Sequence, residues 1–81
     1  MSELEYVKRS QKRVEVMKSL EGGVKMPSEI VRETGMVQNY VSTALKQLRQ
    51  HGLVECLNPE MRKGRLYRLT DVGEDIADFM E

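Results

Sequence analysis

The sequence predicts a single small α+β domain, mainly helical, and three observations carry that expectation. Apolar residues recur at three- and four-residue spacing in four segments. The period shortens to two in the runs Val54 to Leu57 and Leu66 to Leu69. Glycines and prolines fall at the ends of these segments and form no linker. At 81 residues there is room for one domain and none for separate cofactor and substrate halves. With 40% hydrophobic and 32% charged residues the chain is apolar enough to build a core and too evenly mixed in sign for a disordered tail. A domain of this size buries only about 60% of its unfolded surface, so a dimer interface is an expected source of further stability.

The first helix is expected from Glu3 to Leu20, with Val7, Ser10, Val14, Met17 and Leu20 on one face. Gly22-Gly23 ends it, and Val24-Lys25-Met26 allows only a short extended stretch. Pro27 suits a first helical turn, where its missing N–H costs nothing, and Ile30, Val31 and Thr34 follow as the inner face of a second, two-turn helix. Gly35-Met36-Val37 makes a tight turn. The third helix, Gln38 to His51, sets Val41, Ala44, Leu45 and Leu48 on one face and ends at Gly52. Val54, Cys56, Tyr67 and Leu69 are the inward positions of two strands joined by the polar loop Asn58 to Arg65. Thr70 caps a last helix with an acidic first turn and the apolar stripe Val72, Ile76, Phe79 and Met80.

Charge is distributed unevenly. The chain is neutral as a whole, yet Met1 to Leu69 holds 13 basic and 8 acidic residues, while Thr70 to Glu81 holds five acids and no base. The lone Cys56 rules out an intramolecular disulfide and a multi-cysteine metal site, and as an inward strand residue it reads as a small core side chain. His51, the only histidine, is expected to complement the carbonyl end of the third helix. The tail acids lack a His or Cys partner, so no metal and no cofactor is assigned. With one histidine, no phosphate-cradling glycine loop and too little chain to enclose a substrate, no enzyme activity is assigned either. No run of apolar residues exceeds two, so neither a membrane span nor a secretory signal is expected, and the location expected is cytoplasmic.

Helix, short strand, helix, tight turn, helix, strand, basic loop, strand, helix is the order of a winged helix-turn-helix, α-β-α-α-β-wing-β-α. A three-residue turn makes the middle helices cross steeply, so that the second projects from the body. Pro27-Ser28-Glu29-Ile30, Thr34-Gly35-Met36, Val41-Ser42 with Ala44-Leu45 and Leu48, His51 to Cys56, Arg62 to Arg65, Tyr67 to Thr70 and Gly73 carry a likeness over nearly the whole chain. In these residues the sequence resembles the winged helix regulators of bacteria and archaea. The resemblance is to the short archaeal ones in particular, which are related to the multiple-antibiotic-resistance and arsenical-resistance repressor families.

That resemblance implies a homodimeric transcription regulator that binds specific double-stranded DNA, with the third helix in the major groove and the wing on the backbone or minor groove. It implies Gln38, Asn39, Ser42, Thr43 and Lys46 as the outward face of the recognition helix, with Tyr40 flanking it. It also implies Arg62, Lys63 and Arg65 as the cationic wing tip and Ser28 as a phosphate contact. Val37 and Met26 depart from the pattern, since a capping Ser, Thr or Asp usually stands there. Lys46 is the single cation expected on the outer face of the third helix, so affinity would lean on the wing and on dimerisation. The stripe Val72, Ile76, Phe79 and Met80 is wider than a minimal core needs, and a homodimer through the first and last helices is expected from it. The alternative is a winged helix that serves as a protein-protein interaction module in a larger assembly. The two differ in whether the third helix and the wing share one basic surface that Glu55, Glu60 and the tail carboxylates leave uninterrupted.

Overall fold

Ser10 decides how the chain begins. In a computed structural model that describes residues 2–80, the expected first helix is two helices, α1 (Glu3–Lys8) and α2 (Gln11–Leu20). Ser10 is not a small residue on a continuous apolar face; its backbone is extended and its Oγ accepts the Arg13 N–H at 3.4 Å as the cap of α2. Serine hydroxyls satisfy the free N–H groups of a helix start better than they sit inside a helix. The break resets the helical phase, so Val16 is fully buried beside Met17 and Leu20, and Val14 is only half-buried.

Helices α3 (Pro27–Thr34) and α4 (Gln38–Gln50) follow, joined by Gly35-Met36-Val37 as expected. Gly35 takes φ of 73°, the left-handed conformation that lets the chain turn within three residues. Met26 offers no side-chain cap to α3, but Glu29 reaches back to accept its N–H at 2.9 Å. Val37 at the start of α4 has no such compensation. Strands β1 (Val54–Cys56) and β2 (Tyr67–Leu69) pair antiparallel with Val54 opposite Leu69, and the short stretch before α3 contributes a single bridge from Lys25 to Tyr67. Helix α5 (Asp71–Asp78) is capped by Thr70, whose Oγ1 accepts the Gly73 N–H at 3.0 Å.

The core gathers Val7, Val16, Met17, Leu20, Ile30, Val41, Ala44, Leu45, Leu48, Leu53, Val54, Tyr67, Leu69 and Ala77. Helix α2 is its axis and packs against α1, α3, α4, β2 and α5. Cys56 is half-buried at the edge of this core. The stripe expected on the last helix is divided. Gly73 and Ala77 are the buried positions of α5, Ile76 and Met80 pack partly against the core, and Val72 and Phe79 face outward at 53% and 71% exposure. Glycine is required at 73, because a Cβ there would lie 1.9 Å from the carbonyl oxygen of Leu53. Among the described residues no helix is long and apolar enough to cross a membrane.

Candidate nucleic-acid interface

Helix α4 presents three further rows around its buried one, and the first of them includes the buried Leu45 at its edge. Gln38, Ser42, Leu45 and Arg49, spaced four, three and four, turn toward the wing. Asn39, Thr43, Lys46 and Gln50 form the row opposite the core, and all four are exposed. Tyr40 and Gln47 turn toward α2, where Gln47 accepts a hydrogen bond from Arg13 Nε at 3.1 Å and Lys12 Nζ stands 3.8 Å from the centre of the Tyr40 ring.

Between α4, the start of α3 and the wing lies an open groove of about 890 Å³. Ser28, Gln38, Ser42, Lys46, Arg62, Lys63 and Arg65 of the expected site all line it, together with Gly64 and Tyr67. Asn39, Thr43 and Tyr40 lie outside it, on the other exposed rows of the same helix. Arg49 and Gln50 also line the groove and were absent from the expected site. Lys46 is therefore not the single cation on the outer surface of α4. The signal was present in the sequence, since Arg49 is seven residues beyond Ser42 and continues its row by two turns.

The wing is built by Asn58. Its Oδ1 accepts the Leu66 N–H at 2.7 Å and its Nδ2 donates to the Gly64 carbonyl at 3.1 Å, so one side chain ties both limbs of the loop. Arg65 is a brace as well as a charge. Its Nε donates to the Met61 carbonyl at 2.7 Å and its Nη2 to the Pro59 carbonyl at 3.2 Å. Arg62 and Lys63 are exposed and form none of the ion pairs among the described residues.

Five cations line this groove, Lys46, Arg49, Arg62, Lys63 and Arg65, and no carboxylate does. The acids are placed elsewhere. Glu55 pairs with Arg68 at 2.7 Å, and Glu21, Glu74 and Asp78 line a separate groove of about 480 Å³ between α2 and α5. Glu60 is exposed in the wing loop and does not line the cationic groove.

His51 is the C-cap residue of α4 through its backbone N–H, while its imidazole makes its contacts with α1. Its ring stacks on Tyr6 at 3.7 Å and its Nδ1 lies 2.9 Å from Glu3 Oε2, which docks α1 onto α4. A contact between positions 48 apart leaves no local trace in sequence.

Residues 10–55, which run from the cap of α2 through the helix-turn-helix into β1, match the arsR family of bacterial regulatory proteins. The chain belongs to the ArsR family. No curated protein matches the sequence. Among solved structures, BpsR of Bordetella bronchiseptica, whose DNA binding is regulated by 6-hydroxynicotinic acid, is similar with a TM-score of 0.81 at 22% identity. That match covers 88% of this chain and 55% of BpsR. A mutant of MarR from E. coli, complexed with operator DNA, gives 0.78 at 24% identity over 94% of this chain and 56% of MarR. The transcriptional regulator YodB from B. subtilis, in its reduced form, gives 0.80 at 21% identity over 94% and 76%. Likeness at these identities establishes the winged helix fold of this ArsR-family chain, which spans a little over half the length of BpsR and MarR. The family is one of bacterial regulatory proteins.

Proposed function

We propose that this ArsR-family chain is a sequence-specific regulator that binds double-stranded DNA, with α4 in the major groove and the wing on the adjacent backbone or minor groove. The observation that carries this reading is the groove between them, with its five cations and no carboxylate. Such a surface attracts phosphate and releases counterions from it. Asn39, Thr43, Ser42 and Gln38 supply hydrogen-bonding groups for base edges, while Ser28, Arg62, Lys63 and Arg65 suit phosphates, and Arg49 joins them. The protein acts in the cytoplasm as a homodimer through α1 and α5, which sets two recognition helices about 34 Å apart over successive major grooves.

The test is the salt dependence of binding to a labelled random-sequence duplex, followed by fluorescence anisotropy between roughly 50 and 200 mM salt. Replacing Arg62, Lys63 and Arg65 together by Ala lowers the slope of log K against log salt by about 0.9 for each phosphate no longer neutralised. An unchanged slope refutes the wing as a DNA contact. A parent protein with no salt-dependent binding refutes the function and leaves the protein-interaction alternative.

A further inference from the structure

Helix α2 begins with two cations, Lys12 and Arg13, and no acidic residue in its first turn. The positive end of the helix dipole disfavours both. Arg13 is accounted for by its partners, since it lies 3.8 Å over the Tyr6 ring and donates to the Tyr6 carbonyl at 2.7 Å and to Gln47. Lys12 has no ion pair among the described residues. Its ammonium is held instead over Tyr40, a residue of α4 that is 48% exposed.

The flank matters. Tyr40 and Gln47 face α2, whereas Gln38, Ser42 and Arg49 face the wing, so Lys12 sits on the side of α4 away from the five groove cations. A helix in a major groove about 12 Å wide runs between two sugar-phosphate walls. Cations on the wing side serve one wall only. We propose that Lys12 contacts a backbone phosphate of the opposite wall, with Tyr40 as the residue that positions it. This rests on the DNA-binding reading above and extends the interface to α2. The contact is independent of base sequence and fixes how deeply α4 seats in the groove.

The test uses the full chain and the same labelled random-sequence duplex. Lys12→Gln lowers the salt slope by about 0.9 per chain bound. Lys18→Gln, exposed near the other end of α2, is the control for net charge and leaves the slope unchanged. Tyr40→Leu lowers the slope in the same direction, Tyr40→Phe restores most of that fall by keeping the ring, and Lys12→Gln adds little in the Tyr40→Leu background. A parental slope in Lys12→Gln, or an equal fall in Lys18→Gln, overturns the Lys12 assignment while the groove reading stands. A parent that shows no salt-dependent binding overturns both. Lys12 is exposed, so its variant folds even where Tyr40→Leu does not, and Lys12→Gln alone then decides.

Discussion

Gly73→Ala is normally a stabilising change inside a helix, by about 1 kcal/mol, because alanine restricts the unfolded chain and favours the helix. In this fold it does the opposite. The added methyl would lie 1.9 Å from the Leu53 carbonyl oxygen and 2.9 Å from its carbon, and both are backbone atoms that no rotamer can move. Relief requires α5 to withdraw by more than an ångström. The hydrogen bonds that seat it, Thr70 N to the Leu53 carbonyl at 3.0 Å and Thr70 Oγ1 to the Gly52 carbonyl at 2.6 Å, lengthen as it does. Ala77, buried at 1% exposure, is drawn away from the core. Overpacking of this kind costs about 1–3 kcal/mol, with backbone clashes toward the upper end, so a net loss of about 2 kcal/mol remains after the propensity gain. For a domain of this size that lowers Tm by roughly 8–16 °C. Urea unfolding followed by circular dichroism measures it directly, with Asp78→Ala on the exposed face of α5 expected to stay within about 0.5 kcal/mol of the parent. A Gly73→Ala protein as stable as the parent refutes the close approach of α5 to Leu53.

Three further outcomes are expected. Asn58→Ala removes the Leu66 and Gly64 hydrogen bonds that hold the wing; hydrogen exchange at the Leu66 amide should accelerate by roughly 5- to 150-fold, as losing about 1–3 kcal/mol of local stability requires, and unaltered exchange would show that the loop is held by other means. Glu33 accepts a hydrogen bond from Lys25 at 2.6 Å, and that bond, ahead of other causes, holds its carboxyl below the usual carboxylate range. A depressed folded-state pKa stabilises the native state above the unfolded value and loses that contribution as pH falls through the folded one, so stability should drop below about pH 4.5 and Glu33→Gln should flatten that limb. Urea midpoints for the two proteins that fall in parallel toward acid would exclude the Glu33 contribution. Val72→Glu with Phe79→Glu should convert a dimer into a monomer without loss of secondary structure, because both side chains already face outward; light scattering that finds the parent monomeric at micromolar concentration would sink the α5 interface.

Val41, Ala44, Leu45 and Leu48 were legible as a buried row because one amphipathic helix carries the whole pattern within a few turns. The same holds for the turn at Gly35, the cap at Thr70 and the order of elements that makes a wing. The basic loop was legible as a cluster. Its architecture was not, because Asn58 and Arg65 brace carbonyls along the loop through side-chain hydrogen bonds that leave no periodic signal. Arg49 and Lys12 escaped for a related reason. Arg49 continues the Ser42 row in sequence, yet only the wing packed beside α4 makes that row one wall of a groove, and only the packing of α2 brings Lys12 over Tyr40.

The sequence by itself determined the elements, most of their inner faces and the chemical character of the wing. These depend on periodicity, capping and turn chemistry, all of which act within a few residues. The break at Ser10 is local too, a capping hydroxyl three residues from its partner that outweighs a continuous apolar face. Tertiary structure alone decided the demand for glycine at 73, which arises where α5 meets Leu53. It also decided the sorting of charge into a cationic groove on one side and carboxylates on another, because packing α2, α4, α5 and the sheet together chooses which exposed side chains become neighbours. A neutral chain thereby presents a groove lined by five cations and no carboxylate.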